Sequence, residues 1–177
     1  MPMAVKRKER PVINILLGSQ SDLGVMEETL NGLRSLGIPY ELVIASAHRS
    51  PQRTRRQIRT AEARGVKLFI AAAGGAAHLP GVIAAETSLP VIGVPIDSSS
   101  LQGMDALLSI VQMPGGVPVA CMAIGKAGAK NAAVFAAQCL AIQDAALARR
   151  LRRFKQSLAD HVVKQDRAVR AGRKNSL

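Results

Sequence analysis

A short apolar run that ends in two glycines constrains the fold of this chain more than any other feature. Residues 68–73 are apolar without polar alternation, which is typical of a parallel strand covered by helices on both faces. Gly74 and Gly75 allow backbone angles that other residues avoid, and they let a ligand approach bare peptide N–H groups. Pro80 suits the first turn of a helix. The segment therefore predicts a buried strand that carries a glycine corner, with His78, to the carboxyl edge of a sheet, where open α/β sheets bind ligands.

Similar apolar runs alternate with helical patterns along the whole chain. Strands are predicted at 12–17, 40–45, 68–73, 89–95 and 119–124. Helices are predicted up to Gly37, over 51–64, through 84–85, over 102–112, from 125–128 to about 142, and from about 144 onward. Such alternation favours a parallel sheet with right-handed crossovers. We predict an α/β, flavodoxin-like, three-layer doubly wound parallel sheet with strand order 2-1-3-4-5 and a C-terminal helix, which brings the loops 18–22, 46–51 and 74–80 together.

Length and charge distribution suggest the domain organisation. A chain of 177 residues with 48% hydrophobic content suits one domain with a sizeable core. Most of the net charge of +12 belongs to the ends, because residues 11–148 hold ten basic against nine acidic side chains. We expect a disordered basic arm over 1–10, a single α/β catalytic domain over 11–160 that includes the C-terminal helix, and a basic tail over 161–177.

The basic ends have two interpretations. Charged, solvated segments are the simpler one, and weak attraction to nucleic acid or another polyanion is the other. Aromatic residues make up only 2% of the chain, so bases would find few side chains to stack on. With no nucleic-acid recognition motif either, we expect no specific nucleic-acid partner.

The cysteines and the apolar runs indicate a cytoplasmic location. Cys121 and Cys139 lie eighteen residues apart without a CxxC spacing, which gives neither a disulfide framework nor a zinc site. The first apolar run, 12–17, is too short for a signal peptide, and no apolar span reaches eighteen residues. We therefore expect reduced thiols, no membrane association and no bound metal.

The loops after the first two strands carry groups suited to a phosphorylated sugar. Ser19 offers a hydroxyl beside a helix start, which suits a phosphate, whereas Asp22 would repel a phosphate and better suits ribose hydroxyls. Arg49 could clamp a phosphate or a carboxylate with two parallel hydrogen bonds. Each feature also has a plain structural interpretation, as a capping turn or as a surface arginine.

Two histidines at the same predicted edge suit general acid–base chemistry. His48 and His78 fall in the second and third loops, and neither has a further ligand at metal-binding spacing. Ser19 and Ser46 lack the GxSxG elbow of a nucleophile, and the P-loop and dinucleotide fingerprints are absent. The residues thus favour acid–base chemistry on a small phosphorylated molecule, with N–H groups of the glycine corner for an anionic or carboxylate fragment.

The same loops resemble a known family. Over roughly 12–145, in collinear order, the chain is similar to the 5-(carboxyamino)imidazole ribonucleotide mutase family of purine biosynthesis. The similarity rests on GSQSD (18–22), SAHRSP (46–51), AGGAAHLPG (73–81), GVP (93–95), LSIVQMP (108–114) and AIG (123–125). It implies a cofactor-free isomerase that moves CO2 from the exocyclic nitrogen to the ring carbon, giving 5-amino-4-carboxyimidazole ribonucleotide in de novo purine (IMP) biosynthesis. It also implies a homo-octamer with active sites between subunits.

The resemblance assigns roles residue by residue. Ser19 and Arg49 would hold the phosphate, Asp22 the ribose, and His48 would transfer the protons. The matched motifs add Ser46 and Leu79 to the substrate-binding residues.

In the third loop, we expect the backbone N–H groups of Gly74, Gly75 and Ala76 to bind the CO2 or carboxylate, while His78 lines the pocket without acting as the main base. Asp97 and Gln102 depart from the family pattern, where a neutral amide and a smaller polar residue are usual.

Two other functions remain open on the sequence alone. One is the sister reaction, carboxylation of aminoimidazole ribonucleotide by free CO2, which would use nearly the same pocket. The other, from a different class, is a non-catalytic nucleotide-binding module that uses the basic ends.

Overall fold

Five parallel strands form one sheet in the part of the chain that the structure describes. The structure, a computed structural model, describes residues 10–174, so the predicted basic arm lies outside the described residues apart from Arg10. The strands are β1 (Ile13–Leu17), β2 (Tyr40–Ile44), β3 (Leu68–Gly74), β4 (Val91–Ile96) and β5 (Ala120–Cys121). Their spatial order is β2-β1-β3-β4-β5, and every neighbouring pair is parallel. The predicted flavodoxin-like sheet and its strand order are confirmed.

Six helices connect and follow the strands within residues 10–174. They are α1 (Leu23–Ser35), α2 (Pro51–Ala63), α3 (Leu79–Glu86), α4 (Met104–Val111), α5 (Gly125–Ala141) and α6 (Ala145–Lys174), and a single 3₁₀ turn, Gln20–Asp22, precedes α1. Proline stands in the first turn of both α2 and α3, where its missing N–H removes no helix hydrogen bond. Each predicted helix is present, so the periodicity located them correctly.

The core is built from aliphatic and small side chains on both faces of the sheet. β1 and β4 are buried along their whole length, and Phe69 is the largest side chain with no exposed surface. Buried residues of α2, α3 and α4 pack in one cluster with β3. On α1, the hydroxyl of Thr29 donates to the carbonyl oxygen of Ala129 on α5 at 2.6 Å. The sheet therefore lies between two helical layers.

Small residues let these layers approach closely. A Cβ atom added to Gly32 on α1 would lie 2.7 Å from the Cβ of Ala133 on α5. A Cβ atom added to Gly93 on β4 would lie 2.5 Å from Cγ2 of Ile110 on α4. Both distances are shorter than carbon atoms tolerate, so Gly32 lets α5 approach α1, and Gly93 lets α4 approach β4, more closely than a side chain would allow.

The last strand and the last helix differ in length from the prediction. β5 holds two residues rather than six; as an edge strand it has only β4 to pair with. α6 continues to Lys174, so residues 161–174, part of the predicted basic tail, are helical. Within 10–174 no helix has an apolar stretch long enough to cross a membrane.

The chain divides into two compact units, one up to Ala136 and one from Ala137 onward. In the second unit, Asp144 caps α6, because its Oδ1 accepts hydrogen bonds from the backbone N–H groups of Ala146 and Leu147, each at 2.9 Å. Every residue of α6 from 155 to 171 is exposed. The predicted domain limits, 11–160 and 161–177, stay predictions.

Candidate active site

A cavity of about 300 Å³ lies at the carboxyl edge of the sheet. Its walls come from the loops that follow β1, β2, β3 and β4. The lining residues are Gly18, Ser19, Ser21, Asp22, Ser46, Ala47, His48, Arg49, Ala73, Gly74, Ala76, His78, Leu79 and Ser98. The three loops that the strand order was expected to bring together therefore share one cavity.

The corner between β1 and α1 is held by its own side chains. The Ser19 hydroxyl oxygen accepts hydrogen bonds from the backbone N–H and the hydroxyl of Ser21, at 3.3 and 2.9 Å. In return, Asp22 Oδ2 accepts from the backbone N–H of Ser19 at 3.2 Å, which completes a capping box. Ser19 and Asp22 are thus fixed before any ligand arrives.

Asp22 is the buried carboxylate of this cavity, with only 4% of its surface exposed. Burial raises the pKa of its carboxyl above the ordinary value of 3.8, although the hydrogen bonds from Ser21 and Ser19 and the charge of Arg49 act in the opposite direction. A buried carboxylate whose charge is only partly compensated favours a ligand that supplies hydrogen-bond donors. Ribose hydroxyls are donors of this kind.

Arg49 connects the second loop to the first. Its Nη2 donates to the carbonyl oxygen of Gly18 at 3.0 Å, and its Nε lies 3.5 Å from the hydroxyl oxygen of Ser46. The same hydroxyl accepts from the backbone N–H of Arg49 at 3.2 Å. Nη1 has no hydrogen-bond partner within the described residues, so a prepositioned guanidinium group keeps donors available for an anion.

The second and third loops meet through two imidazole rings. The ring centroids of His48 and His78 lie 4.7 Å apart, edge to face at 65°. Nδ1 of His78 lies 2.8 Å from the carbonyl oxygen of Ala76. A carbonyl oxygen only accepts, so this nitrogen carries the proton and donates. His48 makes no hydrogen bond within residues 10–174, which leaves its ring free to exchange protons with a ligand.

The third wall is the glycine corner. A Cβ atom added to Gly74 would lie 2.0 Å from the Ser98 hydroxyl oxygen, so any side chain here would displace that hydroxyl. Gly75 has φ of +58°, in the left-handed region that favours glycine. Leu79, the first residue of α3, is buried and closes the floor beside them.

Comparison with known proteins agrees with this geometry. The family described as AIR carboxylase matches residues 12–161. The chain belongs to the AIR carboxylase family.

Relatives within the family are similar along most of their length. The N5-carboxyaminoimidazole ribonucleotide mutase of Pyrococcus horikoshii is 51% identical over 152 residues, which cover 86% of this chain and 85% of the relative. The protein of the same name from Bacillus subtilis is 56% identical over 142 residues, covering 80% and 88%. The crystal structure of Treponema denticola PurE has a TM-score of 0.81 and 31% identity, and covers 89% of this chain and 97% of that one.

Nine of the ten predicted site residues line the cavity: Ser19, Asp22, Ser46, His48, Arg49, Gly74, Ala76, His78 and Leu79. Gly75 does not, although it forms the corner beside them. Its role in binding stays a prediction.

Sequence reasoning missed the serines Ser21 and Ser98. Ser21 stands inside the first loop motif, and its one hydroxyl proton has two acceptors within reach, the Ser19 hydroxyl oxygen at 2.9 Å and Asp22 Oδ1 at 3.2 Å. Ser98 follows β4, which the strand order places beside β3. A polar loop after the neighbouring strand was the available signal.

The two departures from the family pattern lie away from the ligand space. Neither Asp97 nor Gln102 lines the cavity. Asp97, the first residue of the fourth loop, lies against the start of α5, where a Cβ atom added to Gly125 would lie 3.4 Å from its Oδ1. Gln102 has φ of +52°, so this loop holds a non-glycine residue in the left-handed region. Across residues 10–174, no group of three or more His, Cys, Asp or Glu side chains could hold a metal ion.

Proposed function

We propose that this chain is an N5-carboxyaminoimidazole ribonucleotide mutase of de novo purine biosynthesis. The observation that carries the proposal is that one cavity combines groups for a sugar phosphate, an unbonded imidazole and a bare glycine corner. The names of relatives about half identical over most of the chain support the substrate.

Two walls of the cavity suit the ribose phosphate. Arg49 and the hydroxyl of Ser19 supply a cation and a donor for the phosphate oxygens. Asp22 accepts hydrogen bonds from ribose hydroxyls, which replace the water that its burial has removed. In this arrangement the phosphate lies nearer Arg49 than Asp22, since the carboxylate repels it.

The third wall suits the group that migrates. Backbone N–H groups of Gly74, Gly75 and Ala76 offer donors to a carboxylate without adding a charge. The carbamate C–N bond breaks, its electron pair stays on the exocyclic nitrogen, and CO2 forms beside these donors. The electron-rich ring carbon then attacks CO2 and forms the new C–C bond.

His48 is the proton carrier in this proposal. As an imidazolium it donates a proton to the departing nitrogen; the neutral imidazole then removes the proton from the ring carbon after the C–C bond has formed. His48 gives up one proton and takes up another, so it ends the reaction in its starting state and the reaction needs no cofactor. His78 holds its place by donating to Ala76 and contacts His48 edge to face.

A direct test compares two substrate mixtures. We expect the carbamate to be converted without ATP, and faster than aminoimidazole ribonucleotide supplied with bicarbonate. The family description, AIR carboxylase, names the competing reaction. Conversion of the bicarbonate mixture as fast as the carbamate, under the same conditions, would establish direct carboxylation instead.

We further propose that the chain assembles into a homo-octamer with its active sites between subunits, as the family resemblance implies. One face of the first unit supports self-association, because a stripe of apolar side chains on and before α4 lies half or more exposed. These are Leu101, Met104, Leu108 and Val111, exposed by 61%, 50%, 51% and 51%. Their spacing of three and four residues places them along one helix face.

The assembly can be tested by mass measurement in solution. Leu108→Asp puts a charge on the stripe and is expected to lower both the assembly mass and the turnover. Ser109→Asp adds the same charge at an exposed position off the stripe, about 100° further around α4, and should leave the mass unchanged. An octamer that survives Leu108→Asp would place the subunit interface elsewhere.

A cytoplasmic location belongs to the same proposal. Both cysteines, Cys121 and Cys139, are free thiols, and burial raises the pKa of each, which keeps them protonated and unreactive. Recovery of the protein mainly from an extracellular or membrane fraction would contradict this location.

A further inference from the structure

The loop after β4 brings a serine hydroxyl to the glycine corner. β4 pairs with β3 so that Ile96 stands opposite Gly74. Ser98 comes two residues later and lines the cavity, although the neighbouring residues Asp97 and Ser99 do not. The register of the sheet therefore selects one residue of this polar loop for the cavity wall.

The contact between this serine and the corner is tight. A Cβ atom added to Gly74 would lie 2.0 Å from the Ser98 hydroxyl oxygen and 3.2 Å from the Ser98 Cβ. The hydroxyl thus occupies the space that a side chain at position 74 would fill. It lies beside the bare backbone that the proposed mechanism uses for the carboxylate.

The hydroxyl differs from the other three that line the cavity. Ser19, Ser21 and Ser46 all make hydrogen bonds within the protein. Ser99, next in the chain, accepts a hydrogen bond from the backbone N–H of Leu101 at 3.2 Å and so supports the turn. The Ser98 hydroxyl has no hydrogen-bond partner among the residues that the structure describes, and the fold makes no visible use of it.

We propose that Ser98 binds the migrating one-carbon group, donating its hydroxyl proton to an oxygen of the carboxylate and of CO2. This inference rests on the proposed function. The migrating group is an anion in the carbamate, uncharged as CO2 and an anion again in the product carboxylate. A neutral donor suits this sequence, because a cation would bind the carbamate and the product carboxylate more strongly than CO2. The hydroxyl and the N–H groups of the corner together keep CO2 beside the ring until the new bond forms.

The test measures where the carbon goes. For wild type, Ser98→Ala and Ser100→Ala, the carbamate is supplied alone, and the carboxylated product and the decarboxylated aminoimidazole ribonucleotide are both quantified after subtraction of the enzyme-free reaction. Ser98→Ala is expected to lower kcat for the carboxylated product about tenfold, the lower end of what one hydrogen bond to a charged group contributes, and to raise the decarboxylated fraction. Ser100→Ala, exposed and outside the cavity, should match wild type.

A binding measurement separates this role from a general structural one. Aminoimidazole ribonucleotide has the sugar phosphate but no carboxylate, so its affinity should stay within about twofold of wild type in Ser98→Ala. An unchanged product ratio in Ser98→Ala would overturn the assignment. So would an equal loss of affinity for aminoimidazole ribonucleotide and for the carboxylated product. A wild-type enzyme that fails to convert the carbamate at all would instead refute the proposed function.

A second variant displaces the Ser98 hydroxyl without changing Ser98 itself. Gly74→Ala places a methyl group where the Ser98 hydroxyl lies, so it should displace that hydroxyl and raise the decarboxylated fraction with Ser98 still present. If Ser98→Ala fails to fold, as judged by circular dichroism, Ser98→Thr, which keeps the hydroxyl, is compared with Ser98→Val, which has the same shape without it, and equal product ratios in the two would contradict the proposal. A normal ratio in a folded Gly74→Ala protein would contradict the proposal.

Discussion

At the β1–α1 corner, the hydroxyl of Ser19 and the carboxylate of Asp22 are tied together by hydrogen bonds, and Arg49 reaches across from the next loop. At the β3 corner, the wall is bare backbone at Gly74, and the one nearby hydroxyl, that of Ser98, has no partner in the described part of the chain. One end of the cavity is charged and internally bonded, and the other is neutral and open.

The difference follows from what each end has to bind. A ribose phosphate keeps its charge and position throughout the proposed reaction. Fixed charges and prearranged donors therefore bind it with little loss of conformational entropy in the protein. The migrating group changes its charge twice, so donors without charge serve it better. The histidine pair, His48 and His78, joins the loops that carry these two ends.

The largest expected effect concerns the histidine rather than either end. His48→Asn should reduce kcat by roughly 10²–10⁴-fold, the usual contribution of general acid–base catalysis, because asparagine cannot carry the proton. Ligand affinity should stay nearly unchanged, as measured by calorimetry with aminoimidazole ribonucleotide. His161→Asn on α6 is the matched control and should be silent. Activity of His48→Asn within a few-fold of wild type would show that the acid–base assignment is wrong.

An intermediate effect is expected at the charged end. Arg49→Ala removes a charge-assisted contact to phosphate worth about 1.5–3 kcal/mol, so binding should weaken by roughly 10- to 150-fold. The product ratio of the carbamate reaction should not change, since the neutral end is intact. Arg56→Ala removes the same charge from an exposed position on α2 and serves as the control. A product ratio altered as strongly as by Ser98→Ala would erase the distinction between the two ends.

The smallest effect concerns the pH dependence of binding at Asp22. Its ribose contacts require the ionised carboxylate, and its pKa is raised by burial. Ligand affinity should therefore fall on acidification at a pH clearly above the ordinary aspartate value of 3.8, and Asp22→Asn should remove that step while lowering affinity at neutral pH by about fivefold. Titration of affinity against pH gives the midpoint. A step at or below 3.8 in wild type would contradict the burial argument.

The same shift has a consequence for stability with a definite sign. A carboxyl whose folded-state pKa is raised contributes stability that is present below 3.8 and is lost as the pH rises through the raised value. Asp144 at the start of α6 has the opposite sign, because hydrogen bonds from the N–H groups of Leu147 and Ala146 lower its pKa. Its contribution is present above 3.8 and is lost as the pH falls through the lowered value.

The fold was readable from the chain because its signals are local and repeated. Unbroken apolar runs such as 68–73 mark strands covered on both faces, and the helical spacing between them leaves few alternatives to a doubly wound sheet. β5 was overestimated, since apolar residues near 119–124 look alike whether or not a second strand pairs with them. The length of α6 was missed because the tail was judged by its charge, although Leu151, Phe154, Leu158 and Val162 continue the helical spacing.

For the candidate site, the sequence predicts which loops come together but not which residue of a loop lines the cavity. Strand order alone indicated that His48 and Arg49 would approach Ser19 and Asp22, and the structure brings all four to one cavity. Within the loop 97–100 three consecutive serines are equivalent in sequence, and only the register between β3 and β4 selects Ser98. Gly75 shows the converse, because it shapes the corner with its φ of +58° without lining the cavity, and its part in binding stays a prediction.

We expect the contact between Gly32 and Ala133 to influence the cavity, although neither residue lines it. Gly32 lies ten residues from Asp22, about 15 Å along the axis of α1, at a point where the two helices touch with no room for one more carbon. α1 runs without a break from Leu23 to Ser35, so we expect a displacement at that contact to reach the start of the helix. A side chain introduced at position 32 is expected to shift the first residues of α1. The distance between the Asp22 carboxylate and the Arg49 guanidinium would then change, although no residue of the cavity had been altered.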